Sequence, residues 1–280
     1  MTRTQVVIVG GGYAGTLAAN RLRQHPDVDI TLVNPRPAFV ERIRLHQYVA
    51  GTGTATIDYP DLLGEGVALL VDSAARIDAA DRRLVLTSGT VLRYDYLIYA
   101  VGSTGAITPA IPGAAEFAYS ISELESATRL LTRLGELPPQ APVTVVGGGL
   151  TGIEAASELA GQGRTVTLVC GEMLGPSLHA AGRRSVAKAL RKLGVDVREA
   201  AVVAEVRADA LVLRDGTVLP SAATVWTAGF GVPDLAGASG LATDSLGRLL
   251  TDETLTSIDN PWIVAAGDAV APSDRPLRMS

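Results

Sequence analysis

A single cysteine, Cys170, leaves the chain unable to close an internal disulfide. Its three histidines, His25, His46 and His179, form no cluster at metal-ligand spacings, so no metal is expected. Basic runs are also missing: Lys+Arg against Asp+Glu is 24 − 29 = −5, which excludes a binder of phosphate backbones, so no nucleic acid is expected as a partner. No apolar run reaches the ~18 residues needed to span a bilayer. The opening stretch Met1–Ala19 is apolar enough to imitate a secretion signal, but Gly10, Gly11, Gly12 and Gly15 break it where such a signal is densest. The expectation is a soluble cytoplasmic chain with no integral membrane segment, which leaves a peripheral membrane contact open.

Glycine is what the sequence has in excess, 30 of 280 residues or about 11% against a usual ~7%. The excess is local. Gln5–Val9 leads through Gly10-x-Gly12-x-x-Gly15 into a helix-like stretch, Thr16–Arg23, and then an apolar strand, Ile30–Val33. Val143–Val146 leads through Gly147-x-Gly149-x-x-Gly152 into Ile153–Ala160 and then Val166–Val169. The two copies of a strand–turn–helix–strand unit are offset by 147 − 10 = 137 residues, too far apart for a solenoid repeat.

Between the copies, Val67–Val71, Arg83–Thr87, Val91–Arg93 and Leu97–Ala100 read as strands, and Ser122–Leu134 as a helix capped by Ser122 with Glu125 completing the capping box. Beyond the second copy, Arg183–Leu193 reads as a helix. Strands follow at Val195–Arg198, Leu211–Arg214, Val218–Leu219, Thr224–Thr227, Arg248–Asp252 and Trp262–Ala265. Boundaries are expected near Pro109–Gly113 and Gly229–Pro233, which gives one domain from residues 1–113 and 231–280 and a second from 114–230.

The spacing of the glycines has a chemical reason. The first permits a tight turn out of the strand, the second lets backbone amides approach a pyrophosphate, and the third lets helix and strand pack closely. The helix start adds unpaired N–H groups and a partial positive charge. Two such loops predict two bound dinucleotides. An acid normally ends the second strand of each unit and binds the ribose diol, but this sequence carries Asn34 and Cys170 there, with Glu172 two positions further. Asn34 can accept a ribose hydroxyl through its amide oxygen. Cys170 reads either as a ribose-position residue or as a small buried hydrophobe. Without a close acid NADPH is not excluded, and only Arg183 and Arg184 are near enough in sequence to clamp its extra phosphate; NADH is the favoured donor.

With both loops in view, the sequence resembles the flavoproteins that carry two dinucleotide-binding domains, the pyridine nucleotide-disulfide oxidoreductase superfamily. It is most similar to the branch with type II NADH dehydrogenases and enzymes like ferredoxin reductase and apoptosis-inducing factor. Tyr94–Gly102 resembles the exit from the FAD domain, Thr224–Gly229 the exit from the NAD domain, and Trp262–Asp268 the late motif whose aspartate bonds the ribityl chain. The resemblance implies an α/β fold with two Rossmann-like domains, the NAD(P) domain inserted into the FAD domain. For FAD it implies Gly10, Gly12, Tyr13, Ala14, Gly15, Asn34, Arg42 on the pyrophosphate, Ala75 by the adenine, Ala100, Gly102, Gly267 and Asp268. For the nicotinamide nucleotide it implies Gly147, Gly149, Leu150, Thr151, Gly152, Cys170, Glu172, Ala228 and Gly229. Glu154 falls where family members place a carboxylate near the flavin–nicotinamide junction, its alternative being an exposed acid that supports the helix dipole.

The paired cysteines of the disulfide reductases are absent from the matching region Phe39–Gly51, which removes glutathione- or lipoamide-type chemistry. Family members continue with a helix and a C-terminal domain where this sequence ends at Leu277–Ser280, so the expected chain lacks that domain. The implied activity is hydride transfer from NADH, with NADPH as a second donor, to FAD and electron delivery to an acceptor, a quinone or a small redox protein. A ferredoxin-reductase-like enzyme and a non-catalytic dinucleotide-binding sensor stay open beside it, as do a homodimer and attachment to the inner face of a membrane.

Overall fold

The computed structural model describes residues 3–105, 107 and 110–272. Pro109, where the first expected boundary starts, and the terminal Leu277–Ser280 lie outside them. In chain order the elements that build the site are β1 (Thr4–Val9), α1 (Tyr13–Leu22), β2 (Val28–Asn34), α2 (Leu45–Ala50), β3 (Val67–Val71) and β4 (Tyr96–Tyr99). There follow β5 (Ala118–Ser120), α3 (Leu124–Glu136), β6 (Pro142–Val146), α4 (Leu150–Gly161), β7 (Thr165–Val169) and α5 (Ala180–Lys192). The last are β8 (Asp196–Arg198), β9 (Ala223–Trp226) and β10 (Ile263–Ala265).

Two compact units divide the chain: residues 1–40, 56–104 and 231–280 form the first, and 41–55 with 105–230 the second. Each holds a five-stranded parallel sheet, ordered β10-β4-β1-β2-β3 in the first and β5-β9-β6-β7-β8 in the second. Four strands of each sheet correspond in chain order, so the duplication legible in the glycine loops extends to β1, β2, β3 and β4 and to β6, β7, β8 and β9; the outer strand differs, β10 closing the first unit and β5 opening the second. In both, the strand before the glycine loop lies between its βαβ partner and the exit strand. The order therefore reverses at its carboxyl end, where open α/β sheets bind ligands.

The apolar strands are buried on both faces, as parallel sheets demand. Val7 and Val9 pack into one core with Leu97, Tyr99 and Ile263, while Val6 and Ile8 pack into another with Ala19, Ile30, Leu32 and Tyr59. In the second unit Val146, Val169 and Trp226 share a core with Val203, Val206 and Leu211. Each unit also carries a three-stranded antiparallel sheet ahead of its exit strand: Ala74–Asp78, Arg83–Leu86 and Val91–Arg93 in the first, Val203–Val206, Ala210–Leu213 and Val218–Pro220 in the second.

Several boundaries differ from the sequence reading. Residues 41–55 group with the second unit because Leu45 and Val49 are buried and α2 packs on α3 and α4. Residues 105–113 do so because the Pro112 carbonyl accepts the Val206 N–H at 2.9 Å and Ile111 packs on the second core. Helices α1 and α4 begin at Tyr13 and Leu150, three residues before the expected starts, so that the third glycine of each loop lies inside its helix. Helix α3 is led by Glu123 with no side-chain cap, and the expected capping box of Ser122 and Glu125 does not form; the Ser122 N–H is held by Ser120 Oγ at 3.2 Å. Helix α5 starts at Ala180 rather than Arg183.

Candidate functional site

In the first unit the glycine turn is built from three different constraints. Gly10 has φ +102, and a Cβ there would collide with the Ala100 carbonyl; a Cβ on Gly15 would collide with the Gly10 carbonyl. Gly12 is the opposite case, with nothing within 4 Å of the position its Cβ would take. Gly10 and Gly15 are thus glycines for internal packing, and Gly12 is a glycine that keeps space open. The Gly11 carbonyl accepts from Tyr59 Oη at 2.7 Å and Thr16 Oγ1 at 3.0 Å. Burial above all pushes the Tyr59 phenol up to about 12 against the opposing effect of Arg36, so it stays a donor.

The second unit repeats this arrangement with different atoms. A Cβ on Gly147 (φ +127) would strike Thr227 Oγ1, one on Gly152 would strike the Gly147 carbonyl, and the space over Gly149 is again open. Thr227 Oγ1 donates to the Val146 carbonyl at 2.9 Å, which fixes Ala228 and Gly229 (φ +94) at the end of the exit strand beside the loop. Neither Gly12 nor Gly149 offers a side-chain cap, and neither α1 nor α4 has an acid in its first turn. Both helix starts therefore present backbone N–H groups and positive partial charge to solvent, over a cradle that only glycine leaves empty. The residues fit a pyrophosphate at each loop, as FAD and a nicotinamide dinucleotide both require. Tyr13, Leu150 and Thr151 are exposed on these first turns, Tyr13 in edge contact with Phe39, and Ala14 is half-buried beside them.

The strand ends show how two of the expected residues are held. Asn34 is buried and already engaged: its Oδ1 accepts the Gly11 N–H at 2.9 Å and its Nδ2 donates to the Arg36 carbonyl at 2.8 Å. It thereby closes the glycine turn from the end of β2. Cys170 is completely buried, its sulfur lying against Gly148, so the hydrophobe reading holds for its side chain and the ribose-position reading does not. Burial and then the Glu199 charge push its thiol up to about 11. Glu172 is exposed, and its carbonyl accepts the Ala200 N–H at 2.7 Å.

Around the first loop, Gly267 (φ +89) rests against the Ala14 methyl and delivers Asp268 to the solvent-facing side, where its carboxylate accepts from Ser103 Oγ at 2.7 Å. Gly102 (φ +69) turns the chain out of β4 behind the buried Ala100. Ala75 is exposed at a register break between Ala74 and Arg76 in the antiparallel sheet of the first unit. Arg42 belongs to the second unit, where its Nε donates to the Ser122 carbonyl at 2.8 Å. Glu154 lies beyond the first turn of α4, which sets aside the dipole alternative, and pairs with His46 Nδ1 of α2 at 3.8 Å. Sequence reasoning missed the roles of Thr16 and Thr227, which lie in stretches it had singled out, and missed Tyr59 altogether, whose hydroxyl holds the first turn from a distant stretch with no motif of its own. Among the described residues no group of His, Cys, Asp and Glu could hold a metal, and no helix is long and apolar enough to cross a membrane.

Residues 4–279 match the family described as pyridine nucleotide-disulphide oxidoreductase. An NADH dehydrogenase-like protein of Mycobacterium tuberculosis is 34% identical over 96% of this chain and 73% of its own. The type II NADH:quinone oxidoreductase of the same organism is 29% identical over 96% of this chain and 67% of its own. Among solved structures, an NAD-dependent persulfide reductase from A. fulgidus superimposes with a TM-score of 0.82 at 27% identity, over 95% of this chain and 53% of that one. The chain thus spans about three quarters of the first relative and about half of the persulfide reductase.

Proposed function

The chain belongs to the pyridine nucleotide-disulphide oxidoreductase family, and from that membership we propose that it is an FAD-dependent NAD(P)H oxidoreductase that passes electrons to a quinone. The observation that carries the proposal is the pair of open cradles at Gly12 and Gly149, each over an uncapped helix start, at corresponding strand ends of two parallel sheets. One pyrophosphate site suits a simple dehydrogenase; two suit an enzyme in which a nicotinamide donor meets a resident flavin. When bound, the flavin supplies the hydride and electron chemistry that no side chain here provides.

The protein's own contribution is binding and orientation. The N–H groups at the start of α1 hold the FAD pyrophosphate, Ala75 lends backbone groups to the adenine, and Asp268, oriented by Ser103, takes the hydroxyls of the ribityl chain. The start of α4 holds the donor's pyrophosphate, with Ala228 and Gly229 beside it. Glu154, paired with His46 within the second unit, is the acid offered to the nicotinamide end of the donor. A redox-active dithiol has no part in this chemistry, because Cys170 is buried and without a cysteine partner among these 280 residues.

A quinone acceptor rests on the similarity to a type II NADH:quinone oxidoreductase, and with it come a location on the cytoplasmic side and a peripheral membrane contact. The test is an absorbance spectrum of the purified protein. It should show bound flavin that bleaches on anaerobic addition of NADH and returns on adding a soluble quinone. A colourless protein that still binds NADH would point to a sensor, and return of colour only with a small iron–sulfur protein would point to a ferredoxin-type reductase.

A further inference from the structure

The second unit lacks the acid that ends β7 in an NADH-binding fold, yet a carboxylate stands beside that position, contributed by the next strand. Strand β8 pairs with β7 up to Arg198 opposite Val169. The ladder then brackets Cys170, whose N–H goes to the Arg198 carbonyl at 2.8 Å and whose carbonyl accepts from Ala201 at 3.0 Å. Glu199 and Ala200 lie between those two bonds. Ala200 takes φ +52, a left-handed conformation that costs a non-glycine residue about 1 kcal/mol or more and persists only where its surroundings impose it. What imposes it is visible on either side: the Ala200 N–H is bonded to the Glu172 carbonyl at 2.7 Å, and Glu199 Oε1 accepts the Leu174 N–H at 2.7 Å.

The segment that Glu199 grips is itself fastened to the glycine loop. The Gly175 N–H donates to the Gly148 carbonyl at 2.7 Å, and Gly148 is covered by the Met173 carbonyl and the Cys170 sulfur. A fixed negative charge is thereby held at the carboxyl edge of the sheet, next to the turn read above as the pyrophosphate site. Of the nearby cations, Arg198 pairs with Asp196 at 2.8 Å, and one terminal nitrogen of Arg183 donates to the Leu178 carbonyl at 3.2 Å.

We propose that Glu199 is the residue that sets donor choice in the second unit, its carboxylate replacing the absent strand-end acid and disfavouring the 2′-phosphate of NADPH. The inference rests on the reading that the nicotinamide nucleotide binds at Gly149, and assigns this role to a residue 29 positions beyond the usual one (199 − 170). The effect is electrostatic, so it acts on the charge difference between the two donors and weakens with salt.

The experiment is an anaerobic equilibrium titration of the full chain, its flavin first reduced with dithionite so that no hydride can be transferred, with NADH and with NADPH, followed by nicotinamide fluorescence, in the original sequence, Glu199→Gln, Glu199→Asp and Gly149→Val. The Gln variant keeps an oxygen for the Leu174 N–H while removing the charge, and the Asp variant keeps the charge. In Glu199→Gln the ratio of NADPH to NADH dissociation constants should fall about tenfold at low salt, and the fall should shrink at an ionic strength of about 1 M, where the screening length is only ~3 Å. Glu199→Asp should keep the ratio close to that of the original chain. An unchanged ratio in Glu199→Gln, or a change as large in Glu199→Asp, overturns the inference while binding that is lost in Gly149→Val leaves the underlying placement standing. Saturable binding that survives in Gly149→Val overturns the placement and this inference with it.

Discussion

Asn34 Oδ1 accepts the Gly11 N–H at 2.9 Å, so the side chain at the end of one strand closes the glycine turn at the end of its neighbour. Both partners are buried. Replacing Asn34 by Ala would strand the Gly11 donor and the Arg36 carbonyl together, and a buried unsatisfied group costs about 1–3 kcal/mol. Asn34→Ala should therefore lower the urea midpoint and reduce flavin occupancy. Asn34→Asp keeps the acceptor for Gly11 and should retain more of both. Equal stability of Asn34→Ala and the original chain would show that the bond contributes nothing.

The two kinds of glycine in the first loop should respond in opposite ways to a side chain. At Gly12 nothing lies within 4 Å of a new Cβ, so Gly12→Val should fold, as circular dichroism would show, and should emerge without flavin because the side chain fills the cradle. At Gly15 the new Cβ meets the Gly10 carbonyl, so even Gly15→Ala should destabilise the fold by about 1–3 kcal/mol through overpacking. A Gly12→Val protein with full flavin occupancy would overturn the assignment of FAD to this loop.

The contrast also marks what the sequence made legible. Strands β1, β2, β6 and β7 announce themselves as β-branched runs, and the glycine spacing encodes the turns, because backbone clearance is a local property of residue type. Helix starts came out three residues late because the third glycine, read as loop, lies inside the helix where Gly15 and Gly152 let it pack on the turn. The membership of α2 in the second unit was not legible, since Leu45 and Val49 acquire meaning only against α3 and α4, tens of residues away. The same holds for Tyr59, Thr227 and Glu199, each joined to its glycine loop by one long-range hydrogen bond or through a segment bonded to it. Asn34 and Cys170 were found by position, but their partners, and hence their roles, come from the fold.

For the second loop the expected outcome is a separation of functions. Gly149→Val adds a side chain into open space, so the fold and the bound flavin of the first unit should persist. Reduction of that flavin by NADH should slow by at least about a hundredfold if the α4 start holds the donor, since charge-assisted hydrogen bonds to the pyrophosphate contribute about 1.5–3 kcal/mol each. Stopped-flow absorbance under anaerobic conditions measures this directly. Reduction at the original rate would place the donor elsewhere.

Cys170 offers a prediction on pH. In the unfolded chain its thiol ionises near the ordinary 9.0, while in the fold burial, and after it the Glu199 charge, push it up to about 11. Between those values the unfolded state has shed a proton that the folded state keeps, so rising pH favours unfolding there. The thiol's contribution to stability is complete below pH 9, declines between 9 and 11, and is constant above. Tyr59, Tyr94 and Tyr99, pushed up to about 12, add their own losses at higher pH, and Cys170→Ala separates the two effects because it removes only the thiol. Urea unfolding at about pH 8 and about pH 10.5 should show the original chain losing more stability than Cys170→Ala over that interval. The native thiol should also resist aromatic disulfide reagents until the chain unfolds, because the sulfur is covered and carries its proton. A thiol that reacts at once in the native protein, or a stability difference that does not move between the two pH values, would contradict the buried, neutral cysteine.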